Sequence, residues 1–199
     1  MVEEIKTRSV YMSKERIIIG FLGTDSGVGT THLSVATATF LASELGKTVA
    51  LLELGEKPVL QCLMHRSYDT FFTVDGVRYY PHARPELISE LCSTDIQYLI
   101  LDLGRGNGQA VSEFFRCDKR YIVSSFVPWK REGLEQFVCR YADRLSKNNV
   151  CCAVLTLDGY DHEKRRFSRM HRLPIRTIPY IADPFWLVSD QLPFFYDMI

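Results

Sequence analysis

The chain has 199 residues, 46% of them hydrophobic, and balances 24 basic against 24 acidic side chains for a net charge of zero. That length suits one well-buried α/β domain and is short for two, and the neutral balance supplies no field that would make nucleic acid or an anionic membrane an expected partner. No run approaches the roughly eighteen apolar residues that cross a bilayer, and the charged N-terminus is no secretory leader, so a cytoplasmic protein is expected.

Met1 to Arg16 is polar and mixed in charge, a lead-in to a domain expected over residues 17–199. The stretch Ile17-Ile-Ile-Gly-Phe-Leu-Gly-Thr-Asp-Ser-Gly-Val-Gly-Thr-Thr-His32 then runs from a β-branched strand through a glycine-punctuated loop into a helix. Glycines let successive backbone N–H groups turn inward, which makes an anion nest at the positive end of a helix. Ser26, Gly27, Val28, Gly29, Thr30 and Thr31 are the candidate phosphate-binding residues. A strict phosphate loop has Gly, four residues, then Gly-Lys-Ser/Thr. Aligned on Gly29, Thr24 stands where the first glycine belongs and Thr30 where the lysine belongs. Thr31 can still offer its hydroxyl to magnesium, whereas Thr30 has no charge to reach a terminal phosphate. A ligand-free glycine-rich βα turn is the plain alternative.

Thr31 to Leu45 has apolar rows at helical spacing and Gly46 as a stop. Thr48 to Leu54 is a continuous apolar run, the mark of a buried parallel strand, and Glu53 lies at its carboxyl end. Glu53 is either a solvated strand-end carboxylate or a catalytic candidate. In Thr70 to Tyr80, Asp75-Gly76 supplies a type I′ turn between aromatic arms, predicting a β-hairpin over about 69–81 with Val74 opposite Val77, Phe72 opposite Tyr79 and Phe71 opposite Tyr80. The hairpin either extends the sheet edge or, because strand alternation puts aromatics on both of its faces, leaves one face open for docking.

Ile96 to Gly104 is a strand whose apolar residues run into Asp102, the placement that brings a carboxylate to the carboxyl end of a sheet near magnesium. Asp102 is therefore both a metal candidate, with Thr31, and a catalytic candidate, with Glu53. Arg120 to Val127 and Val150 to Leu157 are further strands, with a helix predicted over Glu132 to Leu145. The six cysteines contain no Cys-x-x-Cys pair and the histidines no ligand spacing, which predicts free thiols and no zinc. Lys164, Arg165, Arg166, Arg169 and Arg172 form the one basic cluster, a solvated helix face or a phosphate patch. The aromatic tail from Phe185 to Ile199 has no lysine or arginine and is expected to pack on the body or on a partner.

These residues resemble the MinD/ParA-type P-loop ATPases, whose loop runs Lys-Gly-Gly-Val-Gly-Lys-Thr-Thr where this chain has Asp25-Ser-Gly-Val-Gly-Thr-Thr-His32. The resemblance implies a doubly wound, mostly parallel α/β sheet, here with an inserted β-hairpin, and ATP or ADP with magnesium as the cofactor, weakly held. Both family lysines are replaced, by Asp25 and Thr30, and the family's Asp-x-Asp is similar to Glu53-Leu54-Gly55 with its second acid absent. Gly104-Arg-Gly-Asn-Gly108 matches the second switch, Asp158 stands where an adenine-reading Asn is common, and Ile178-Pro179 resembles the segment after the last core strand. Such losses resemble the divergent TadZ/CpaE-like members. They imply a pseudo-ATPase that localises or assembles a pilus- or secretion-like complex, contacting a protein partner or a second copy through the 70–80 hairpin or the tail. Gly23-Thr-Asp-Ser-Gly-Val-Gly29 is also similar to the loop of dethiobiotin synthetase, which implies an ATP-dependent ligase or small-molecule kinase as the alternative.

Overall fold

The computed structural model describes residues 16–64, 70–106, 108–146, 150–154 and 160–199. The lead-in 1–15, Asn107 and Asp158 lie outside the described residues. Strand β1 (Ile17–Gly23) is buried from Ile19 onward and runs parallel to β5 (Tyr98–Arg105) on one side and β6 (Lys119–Ser124) on the other. Beyond β5 lie β2 (Val49–Glu53), β4 (Val77–Tyr80) and β3 (Phe72–Val74), and beyond β6 lie β7 (Val150–Val154) and β8 (Ile175–Thr177). All neighbours are parallel except the β3–β4 hairpin. The expected mostly parallel sheet with an inserted hairpin is what the chain forms.

Side-chain alternation sends the two sets of strand residues into two separate cores. Ile19, Phe21, Leu51, Tyr79 and Ile100 pack beneath α1 (Thr30–Thr39) and the C-terminal segment, while Leu22, Leu52, Tyr80, Leu101 and Ile122 face the opposite layer. That layer includes α2 (Glu86–Leu91), α3 (Gly108–Phe114), α4 (Pro128–Arg140) and α6 (Asp161–His171), with α5 (Ala142–Ser146) following α4 directly. The connection after β1 therefore leaves on one face and the connection after β6 on the other. In an open parallel sheet such a reversal opens a crevice beyond the carboxyl ends of those two strands.

Three expectations change. The hairpin has the predicted register, and Asp75 and Gly76 both take the positive φ that a type I′ turn requires, 47° and 82°. Its ladder is core on the β4 side only, because β4 pairs with β2 inside a sheet covered on both faces while β3 is the sheet edge: Tyr79 is fully buried and Tyr80 8% exposed, whereas Phe72 is half-buried and Phe71 44% exposed. The helix predicted from Glu132 starts at Pro128, since proline needs no N–H at the first helical position and its φ is already helical. The basic cluster does not present one face: Lys164 is buried against Asp161 and Thr177, and Arg172 sits past the helix end in a left-handed conformation. The tail folds back as α7 (Leu192–Tyr196), stacking Phe195 on Phe40 while the Tyr121 hydroxyl donates to the Met198 carbonyl.

Candidate functional site

The glycine-rich loop leaves β1 already anchored. The Thr24 N–H donates to the Val123 carbonyl at 3.0 Å, and the Thr24 and Ser124 hydroxyls share a buried hydrogen bond of 2.7 Å, so the loop is tied to the end of β6. Gly27 and Gly29 both take positive φ, 65° and 90°, a conformation that costs a side-chain-bearing residue about 1 kcal/mol or more. Helix α1 begins at Thr30 with no side chain capping it and no acidic residue in its first turn. Its first N–H groups are therefore left to water or a ligand, with the positive end of the helix behind them. Ser26 and Gly27 are exposed, whereas Val28 packs inward at 1% exposure. The predicted loop residues thus form one continuous turn.

Thr30 does not point out of that turn. The residue is 8% exposed, and its hydroxyl lies 2.5 Å from where a Cβ on Gly23 would be. The residue at the expected lysine position closes the base of the loop.

Asp102 and Glu53 are register partners on β5 and β2, Glu53 the last residue of its strand and Asp102 three residues before the end of the longer one, both on the same side as α1. Asp102 is 1% exposed, and its Oδ1 accepts the Gly104 N–H at 3.0 Å. Burial pushes its carboxyl pKa up, against smaller downward pulls from the Thr31 hydroxyl and the Gly104 N–H. Thr31 is near enough to favour the ionised form, yet Oδ2 has no hydrogen bond of good geometry and is buried without a partner. A native protein seldom strands a carboxylate oxygen in this way. The arrangement of a hydroxyl beside an orphaned carboxylate oxygen, next to an anion nest, suits a hard divalent cation.

Glu53 is engaged quite differently. It is 2% exposed, so the solvated reading is overturned, and its carboxylate accepts the Val59 N–H at 2.6 Å and the Leu60 N–H at 3.2 Å. It staples the segment after β2 rather than facing an open site. The acid missing at Gly55 also has a physical reason. A Cβ there would lie 3.2 Å from the Gly104 Cα, and one on Gly104 would lie 2.9 Å from the Gly55 Cα. Backbone meets backbone there more closely than side chains ordinarily allow, which favours glycine at both positions.

Sequence reasoning missed Lys130. From the first turn of α4 its ammonium donates to the carbonyls of Ser26 and Gly27, both at 2.9 Å. It also missed His32, whose Nε2–H donates to the Ile181 carbonyl at 2.9 Å and ties α1 to the Ile178-Pro179 segment. Beside His32 lies a mostly apolar cavity of about 290 Å³ bordered by Gly27, Gly29, Leu33, Ile178 and Tyr180.

No protein-family model and no curated protein matches the sequence. Solved structures do. The chain superposes on the MinD cell division protein of Aquifex aeolicus with a TM-score of 0.65 at 16% identity, covering 91% of this chain and 95% of that one. The fold is that of the MinD and ParA ATPases. A putative plasmid partition protein of Borrelia burgdorferi bound to AMPPNP gives a TM-score of 0.65 at 12% identity, covering 92% and 96%. The Pyrococcus horikoshii MinD complexed with Mg-ADP gives 0.59 at 14% identity, covering 82% and 81%. Among the described residues, no helix is long and apolar enough to cross a membrane, and no cluster of three His, Cys, Asp or Glu side chains that could hold a metal ion occurs.

Proposed function

We propose that this chain binds ADP or ATP with magnesium at the β1–α1 loop and hydrolyses it slowly or not at all. The reading rests above all on the orphaned Asp102 Oδ2 beside Thr31, a buried polar atom that the chain itself does not satisfy. The backbone N–H groups from Gly27 to Thr31 would hold the phosphates, and Thr31 with Asp102 would hold the magnesium. Bound magnesium would neutralise phosphate charge and orient the terminal group. The apolar cavity beside His32 and Ile178 is placed to take the base. Glu53 is bonded to backbone, Gly55 carries no acid and Thr30 faces the loop base, so the described residues place no base on an attacking water.

Calorimetric titration with Mg-ADP, and with ADP in chelator, tests this directly. Binding that strengthens with magnesium is expected, with phosphate release from ATP far below ordinary P-loop ATPase rates. Failure to bind either nucleotide refutes the reading, and rapid turnover refutes its second half.

A nucleotide-bound protein that turns over slowly suits the TadZ/CpaE-like role of positioning a pilus- or secretion-like assembly. Its partner contact belongs on the tail more than on the hairpin, because Trp186 and Tyr196 are 75% and 55% exposed while the hairpin aromatics are largely core. Replacing Trp186 and Tyr196 with serine should change association by light scattering more than Phe71→Ser does.

A further inference from the structure

Resting on the nucleotide reading, we propose that Lys130 is the phosphate-site cation of this protein, supplying from α4 the charge that Thr30 does not supply from the loop. The topology puts it there. Strands β1 and β6 send their connections to opposite faces of the sheet, so the loop after β1 and the start of α4 after β6 meet in the crevice between them. Contact is close: a Cβ on Gly133 would lie 3.1 Å from the Thr24 carbonyl oxygen, so glycine there lets α4 lie against the loop. Lys130 is three residues earlier and shares that face of the helix. Its ammonium is 3.5 Å from where a Cβ on Gly27 would be.

The chemistry agrees with the placement. A lysine ammonium has three donors, and the Ser26 and Gly27 carbonyls take two of them. The third is left to a phosphate oxygen. Hydrogen bonds to peptide carbonyls also polarise those peptides, so a cation on this side of the loop strengthens the nest as a receptor for anions. Among the described residues none of the salt bridges involves Lys130. The nearby loop carboxylate, Asp25, is turned to the Ser26 N–H at 2.7 Å. An anionic Asp25 in a loop with no lysine of its own would repel a polyphosphate, and Lys130 offsets that charge.

The test compares wild type, Lys130→Met and Lys130→Arg for binding of Mg-ADP, Mg-ATP and adenosine, with a melting curve of each ligand-free protein. Loss of one charge-assisted contact should weaken both nucleotides by about tenfold to a hundredfold in Lys130→Met. Lys130→Arg should keep most of the affinity, adenosine binding should be unchanged, and the melting temperatures should coincide. The inference is overturned if Lys130→Met binds the nucleotides as tightly as wild type. It is also overturned if adenosine binding or the melting temperature falls in step, which would make Lys130 a structural bolt. If the wild-type protein binds neither nucleotide, the reading of the site fails and this inference with it; if wild type binds and Lys130→Met binds equally, the inference alone fails.

Discussion

Strands β2 and β5 each present a carboxylate at the same level of the sheet, paired in register as Glu53 and Asp102, both buried and both with carboxyl pKa values raised by burial. Their surroundings differ. Glu53 is occupied by two backbone N–H groups from the segment that follows it, whereas Asp102 accepts one N–H and keeps an oxygen unused. A buried acid with all its partners inside the chain maintains the fold. One left incomplete beside the glycine-rich loop is, on the proposed reading, completed by the magnesium ion. The glycines repeat the lesson, since Gly55 and Gly104 meet backbone to backbone and a third carboxylate at Gly55 would have to push the Gly104 backbone aside.

The most forceful way to break the comparison is to truncate each acid. Glu53→Ala leaves the half-exposed Val59 N–H and the buried Leu60 N–H without their acceptor and should destabilise the protein by about 2 kcal/mol, since a stranded buried donor costs about 1–3 kcal/mol. Asp102→Asn should do the reverse. The amide can keep the Gly104 N–H bonded and removes a desolvated charge, so stability at neutral pH should hold or rise while the magnesium dependence of nucleotide binding disappears. Denaturant midpoints for the pair, with Mg-ADP titrations alongside, decide it. Equal destabilisation by both variants would mean that Asp102 is structural too.

Comparable in size is Gly104→Ala. The position combines a φ of +55° with a Cβ site 2.9 Å from backbone that cannot move aside, so a loss of about 2 kcal/mol in unfolding free energy is expected. Gly76→Ala is the control. It has a comparable φ of 82° with nothing near its Cβ site, so it should cost only the conformational part. If the two cost the same, the backbone contact between the strand ends contributes nothing.

How much of this was legible beforehand follows from how local each signal is. The loop, the strand running into Asp102 and the Asp75-Gly76 turn are written in neighbouring residues, and each formed where expected. The fate of the hairpin aromatics was not local. Whether Tyr79 and Tyr80 both become core depends on β4 joining β2 in parallel and on the tail returning to set Phe185 against Tyr79. Glu53 was ambiguous because a carboxylate six residues from its partner N–H looks the same in sequence whether or not the chain doubles back. Lys130 was hidden by distance, lying 104 residues from Ser26. Pro128 at the helix start and Gly133 three residues beyond Lys130 were the available signs, but their meaning required the strand order.

The smallest expected effect concerns proton binding at Glu53. Desolvation raises its folded pKa above the ordinary carboxyl value, only partly countered by the Val59 and Leu60 N–H groups, and neighbouring Asp102 adds to the rise. The folded state therefore binds a proton more readily than the unfolded one. Between the unfolded and the folded pKa, stability must fall as pH rises, and above the folded pKa the deficit stays constant. Glu53→Gln cannot titrate, so it should show a fixed offset across the same range. The measurement is the difference in unfolding free energy between wild type and Glu53→Gln from about pH 4 to about pH 8, which cancels the titration of distant groups. Wild type should lose ground to the variant as pH rises and then run parallel to it. A difference of opposite slope would mean that the two N–H groups outweigh burial, and Glu53 would then be held as a stable anion at the end of β2.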